Sequence, residues 1–261
     1  MFTLATQPLR TLLLATLTSV GLGCGDTGQV AFEHPISAQA AAGASEAFEV
    51  EGWEIVLTQA DVGIGPMYFC ASVAASSELC PSAVAEWTDA AAIDALDASS
   101  QPLGEVSGIT GTVRPVTYDF AISWFATQTD PVPAQAAPGG HSIQMAGVAT
   151  RLADARQIAF TIDLDLRSQI RGEQAVQAQP VFHDYTEGPV ALDLTVDPRA
   201  WWSSVDVEVL AELADTGQQG SGSPEDPVAI PPTSEIANAL TLAITTGRRP
   251  TFTWRKSSAT E

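Results

Sequence analysis

"QIAFTIDLDL", residues 157–166, decides the fold. Ile158, Phe160, Ile162, Leu164 and Leu166 alternate with Gln157, Ala159, Thr161, Asp163 and Asp165. Strict period two over this length puts one face on a core and the other in water, the pattern of a half-buried strand. Two further stretches repeat it. In "VTYDFAISWF" (116–125), Val116, Tyr118, Phe120, Ile122 and Trp124 form the apolar face. In "VALDLTV" (190–196), Val190, Leu192, Leu194 and Val196 do so. Slipping any of these strands by one residue would bury Asp119, Asp163, Asp165 or Asp193, so all four are expected on the solvent side. The fold class implied is mainly β: an antiparallel β-sandwich-like single domain with one or two short helices.

Working outward, weaker strand patterns lie at 53–58, 62–70, 109–113, 142–149, 205–210 and 251–254, separated by Gly, Pro, Asp and Gln clusters. Residues 81–92 are Ala-rich and read as a short helix. "TSEIANALTLAITTG" (233–247) is the better helix. Thr233 or Ser234 caps it, Ile236, Leu240 and Ile244 make its apolar stripe, and Gly247 ends it. The polar connection before it (215–232) reads as a long mobile loop. Trp201-Trp202 suggests either core or an exposed aromatic contact, with core expected for at least one of the two.

Charge excludes some partners. The 261 residues carry 11 Lys and Arg against 31 Asp and Glu, a formal net charge of -20. Such a chain repels phosphate backbones, so nucleic acid is not an expected partner. Four of the 11 basic residues fall in the final "RRPTFTWRK" (248–256), where they either neutralise acidic surface or face a partner.

The N-terminal stretch "TLLLATLTSVGLGCGD" (11–26) is an apolar run behind Arg10 that stops at Cys24. It is shorter than the roughly 20 apolar residues a membrane-spanning helix needs and has the length of a signal-peptide core. Gly23-Cys24 after this run resembles the lipobox of bacterial lipoproteins, although Gly21 rather than Leu stands three places before the cysteine. The resemblance implies cleavage before Cys24 and lipid on it. Domains are then expected as a signal peptide at 1–23, a flexible tether at 24–47 that includes an exposed His34, and a β-sandwich-like ectodomain at 48–261. With Cys24 assigned to lipid, Cys70 and Cys80 remain, and an oxidising compartment favours a disulfide between them.

Candidate chemistry is sparse. "GHSIQ" (140–144) is similar to the nucleophile elbow of serine hydrolases around Ser142, but Gln144 replaces the last glycine and a strand follows. "HDYTEG" (183–188) gathers His183 with carboxylates, either a base or a polar turn. His141 and Met145 share a strand face, and with His183 they would suit copper, for which thioether is a soft ligand. Asp163, Asp165 and Asp193 on polar strand faces would suit calcium.

"EGWEIVLTQADVGIG", "GEVSGITGTVRPVTYDFAISW", "GHSIQMAGVA", "DPRAWWSSVDVEVL" and "SEIANAL" together give the chain a resemblance to uncharacterised lipoproteins of the myxobacterial kind. That resemblance implies lipid anchoring and a β-rich ectodomain, and carries over no catalytic residue. The expected protein is anchored by lipid in the bacterial cell envelope, on the periplasmic face or the cell surface, with a binding or structural role toward an unknown protein or small molecule. It needs no cofactor under that expectation. Copper or calcium binding or delivery is the alternative, and a serine hydrolase a distant one.

Overall fold

The computed structural model describes residues 28–72, 83–185 and 190–256. Cys24, Cys80 and the expected signal peptide lie outside them. In chain order the strands are β1 Ala31–Ala40, β2 Phe48–Val50, β3 Trp53–Ile64, β4 Met67–Cys70, β5 Ala83–Trp87, β6 Ala91–Asp94, β7 Gln101–Ile109 and β8 Gly111–Tyr118. They continue as β9 Ile122–Ser123, β10 Val132–Pro133, β11 Ile143–Arg151, β12 Gln157–Leu164, β13 Val176–Tyr185, β14 Val190–Val196, β15 Val228–Ala229 and β16 Thr251–Lys256. Three short helices, α1 Pro198–Trp201, α2 Glu208–Thr216 and α3 Glu235–Leu242, fall late in the chain. No helix among the described residues is long and apolar enough to cross a membrane.

The protein is mainly β, as the alternation predicts, and it is organised as two sheets on one core. The larger sheet has eight strands in the order β13-β8-β4-β5-β7-β1-β14-β16 and curls until it nearly closes into a barrel. The smaller runs β15-β12-β11-β3-β2, with β6 also on β3. Ile158, Phe160, Ile162 and Leu164 of β12 join Val116, Tyr118, Leu192 and Leu194 of the larger sheet in a single buried cluster. The sheets are mixed rather than purely antiparallel, because β1 runs parallel to β14 (Ile36 opposite Leu192, Ala38 opposite Leu194) and β12 parallel to β15.

Four local expectations are corrected. Residues 31–40 are not tether: they form β1, an interior strand, paired to β7 and β14. Phe32, His34, Ile36, Ala38 and Ala40 make its inward face, and Pro35, which cannot donate to a ladder, sits beside a register shift at Ile36/Ser37. Residues 83–94 are strands rather than helix, with Val84, Ala85 and Trp87 buried between β4 and β7. Residues 208–216 are helix rather than strand. Val207, Leu210, Ala211 and Ala214 are spaced for one helical face and buried, Asp206 accepts from the Glu208 N–H (3.0 Å), and Gly217 ends the helix at φ 63°. The 215–232 connection carries β15 and is tied back by Ser221 N–H to Asp226 (2.8 Å).

The helix expected near 233–247 is present. The Ser234 side chain accepts from the Ala237 N–H (3.1 Å), and Ile236, Leu240 and Ile244 are buried. Trp201 and Trp202 are both fully buried. Consecutive helical positions differ by about 100°, so both can face one core, which a strand would forbid. Trp201 Nε1 donates to the Arg248 carbonyl (2.9 Å), and Trp202 packs on Phe160.

Asp119 does not face solvent. The alternation through 116–124 does not belong to one strand. β8 ends at Tyr118, Ala121 takes φ 56°, and β9 starts a separate two-stranded sheet with β10. That kink turns Asp119 inward, where it is 1% exposed, and leaves Trp124 only partly buried. Val190, at the start of β14, is likewise only partly buried. The Asp119 carboxylate accepts from the Ala175 N–H (2.8 Å) and the Ser123 hydroxyl. Burial nevertheless dominates and pushes its pKa up from 3.8 to about 6.

Candidate functional site

The near-closure of the large sheet leaves a seam between its two edge strands, β13 and β16. Among the described residues no backbone ladder joins them, and side chains bridge the gap instead. At one point Tyr118 donates its hydroxyl to Gln179 Oε1 (2.7 Å), and Gln179 Nε2 donates to the Pro250 carbonyl (2.8 Å). At another, the His183 ring stacks flat on Trp254, with centroids 4.7 Å apart and planes 5° apart. Along the seam runs a cleft of about 510 Å³, lined by Gln179, Pro180, Phe182, Arg249, Phe252 and Trp254 among others. Its volume falls in the usual range for small-molecule sites.

The local backbone explains the cleft. β13 shifts register against β8 twice, between Val176 and Gln179 and between Pro180 and His183. Ala178 takes φ 46°, a left-handed value uncommon for alanine. Bulged, strained strand segments concentrate beside functional sites because they re-aim side chains. Here they leave Phe182 at 67% exposure on the cleft rim, the most exposed large apolar residue among those described.

Arg249 supplies the charge. The other arginines of the C-terminal run are occupied or exposed: Arg255 forms an ion pair with Asp193, and Arg248 stands in solvent. Arg249 is half-buried and forms no ion pair among the described residues, in a chain with a large acidic excess. Its guanidinium acts on the buried Tyr118 phenol, whose pKa burial pushes up and the arginine partly restrains.

Behind the stacked pair lies a buried polar chain. Trp254 Nε1 donates to the Tyr185 oxygen (3.0 Å), and Tyr185 lies 3.1 Å from His34 Nε2. The Pro35 carbonyl, 3.3 Å from His34 Nδ1, only accepts, so in the neutral ring Nδ1 carries the proton and the bare Nε2 accepts from the Tyr185 hydroxyl. Burial, opposed by that backbone contact, lowers the His34 pKa and fits a neutral ring. His34 is only 4% exposed, which overturns the exposed tether residue expected for it. Burial, then the nearby His34, lowers the His183 pKa against the opposing pull of Asp184, and its buried Nε2 has no hydrogen-bond partner among the described residues.

The expected copper set does not assemble. His141 precedes β11 and turns outward, with Nδ1 at 2.8 Å from Asp165. Met145 points into the core at 2% exposure, and His183 belongs to the other sheet. The calcium set also separates. Asp163 and Asp165 are exposed beside His141, and Asp163 accepts from Gln144 (2.9 Å). Asp193 lies on β14, where Arg255 and Ser37 hold its carboxyl below the usual carboxylate range. Among the described residues no group of three or more His, Cys, Asp or Glu is placed to hold a metal. Ser142 is no exposed nucleophile: it is 0% exposed, and its hydroxyl accepts from the Leu166 N–H (3.0 Å) and donates to the Leu166 carbonyl (3.3 Å). Cys70 is buried on β4; its expected pairing falls on Cys80, outside the described residues, as does lipidation at Cys24.

A larger hollow, about 650 Å³, opens beside β9 and β10; alanines and prolines make up much of its lining, Phe125 is its aromatic residue, and Asp89 is the one charged residue among the described residues that line it. The seam offers aromatic faces and a cation together and is the better-equipped site. No protein-family model matches the chain, and no curated protein or solved structure does so either. Gln179 and Phe182 carried no signal in the sequence pattern. Tyr185 lay in "HDYTEG" and Arg249 and Trp254 in the basic run 248–256, but nothing in the sequence joined the two stretches.

Proposed function

We propose that this chain is a bacterial cell-envelope protein, anchored by lipid on Cys24, whose folded domain binds a small-molecule ligand in the β13–β16 seam. The observation that carries the reading is the cleft itself, where Phe182, Phe252 and Trp254 offer apolar surface beside Arg249. Aromatic walls with a few placed polar groups are the usual make-up of a ligand pocket. The apolar run that ends at Cys24 supports export and anchoring. β1 starts at Ala31, seven residues after Cys24, which leaves a short spacer. Residues 25–30 span at most about 20 Å when fully extended.

The test is a thermal-shift screen of the full mature protein against a panel of small molecules, run beside Phe182→Ser. Ligand that binds only the folded state raises the melting temperature by mass action. At least one compound is expected to stabilise the wild type and to do so less for Phe182→Ser. A panel in which no compound separates the two proteins refutes a ligand site at the seam.

A further inference from the structure

We infer that the seam cleft takes a single-chain carboxylate amphiphile, with the carboxylate at Arg249 and the apolar chain against Phe252, Trp254 and Phe182. The inference rests on the binding role proposed above and names the ligand class. Three separate observations carry it.

The first is charge. A half-buried arginine with no ion pair among the described residues, in a chain of net charge -20, is a site left open for an anion. The protein had acidic side chains to spare for neutralising it, and Asp193 of β14 takes up Arg255 of the neighbouring β16. Guanidinium recognises carboxylate with two parallel hydrogen bonds. Gln179 cannot take over that role, because its amide is already committed to Tyr118 and Pro250.

The second is the apolar surface. Phe182 stands 67% exposed on the rim, and the Phe252 and Trp254 rings are only partly covered. Exposed aromatic surface leading into a cleft of about 510 Å³ fits the body of a medium-length chain rather than a small hydrophilic anion.

The third is position. Tyr185 contacts Phe32 and His34 at the beginning of β1, and the seam residues His183 and Trp254 pack on Tyr185. Only residues 25–30 separate β1 from Cys24, so lipid on that cysteine would hold this end of the barrel within about 20 Å of the bilayer surface. Amphiphilic carboxylates partition at that surface; of the cleft's two ends, the apolar Trp254 end, level with Ile36, is the nearer to it, and the Arg249 end, beyond the level of Gln39, is the farther.

The experiment is isothermal titration of the full mature protein with decanoate below its micellar concentration and with 1-decanol, its neutral counterpart of equal chain length. Decanoate is expected to bind at least ten-fold more tightly than decanol, and Arg249→Gln to abolish that preference by weakening decanoate alone at least ten-fold. Phe182→Ser, at an exposed position that leaves the fold intact, is expected to weaken both. Equal binding of the two probes, unchanged by Arg249→Gln, overturns the carboxylate inference and leaves an apolar ligand site standing. Binding of neither probe, with a hit from the small-molecule panel that still depends on Phe182, overturns the amphiphile while sparing the proposed function. Failure of both the probes and the panel overturns both.

Discussion

Replacing Asp119 with Asn removes a charge from the most buried carboxylate described. The carboxylate lies at 1% exposure and receives hydrogen bonds from Ala175 N–H and the Ser123 hydroxyl, yet its pKa rises from 3.8 to about 6. A folded-state pKa above the unfolded one means that the native state holds the proton more tightly. The group's contribution is then most favourable below pH 3.8 and is lost as pH rises through 6. Two pKa units correspond to about 3 kcal/mol, the cost of keeping the ionised carboxylate buried at pH 8; at pH 4.5 that cost has fallen to about 1 kcal/mol. Asparagine keeps an acceptor for the Ala175 N–H, and the Ser123 hydroxyl can turn to accept from its amide. Asp119→Asn is therefore expected to be more favourable at pH 8 than at pH 4.5 by about 2 kcal/mol. Urea denaturation of both proteins at the two pH values measures this directly. A substitution effect that is the same at both values, or more damaging at pH 8, refutes the claim that burial outweighs the two hydrogen bonds.

Other substitutions probe other parts of the structure. Ser142→Ala strips the Leu166 N–H of its partner in a fully buried place and should cost about 1–3 kcal/mol in urea denaturation, whereas an exposed nucleophile would be lost without effect on stability. Asp163→Ser, on an exposed face, should change stability by less than about 0.5 kcal/mol, and Ile162→Asp on the buried face of the same strand should prevent folding, as read by circular dichroism. His34→Gln keeps an acceptor for Tyr185 but removes a ring that must stay neutral. Because burial lowers the His34 pKa, wild-type stability from this group is lost as pH falls below 6.5, and the variant should lose less over that interval. Cys24→Ala should move the protein from the membrane fraction to the soluble fraction; retention in the membrane fraction would refute lipid anchoring at this residue.

Period two was legible wherever one face was apolar by ordinary hydropathy. β12 and β14 show it plainly, and Asp163, Asp165 and Asp193 fall on the outward side as the alternation demands. β1 has the same period, but His and Ala occupy inward positions and Pro interrupts it, so the stretch resembles a spacer until its partners are known. Asp119 misled for a different reason. The alternation continues numerically from Val116 to Trp124, while the chain itself turns at Ala121 and changes sheet. Helix α2 hid behind Val205, Val207 and Val209, a strand-like triplet outweighed by the helical set Val207, Leu210, Ala211 and Ala214. The seam could not be read locally at all. It joins β13 to β16, which are neighbours only because six other strands curl the sheet round to bring them together.

That curl places two titratable groups of opposite character at the two ends of β8. Asp119 follows its last residue, Tyr118, while His183 and Tyr185 pair with Val113 and Gly111 near its start and lead to His34. The strand's eight residues put these ends roughly 25 Å apart, beyond a Debye length in physiological salt, so the groups titrate independently. As pH falls from 6.5 toward 4, Asp119 gains a proton and stops opposing the fold, while His34 is driven toward a charge that its neighbours cannot accept. A protonated His34 donates from Nε2 to a Tyr185 oxygen that already receives the Trp254 N–H, which displaces the Tyr185 proton from its acceptor. Acid thus relieves the kinked end of the barrel and loads the His34 end. The two contributions oppose each other in global stability, and each emerges only in the difference between wild type and its own variant.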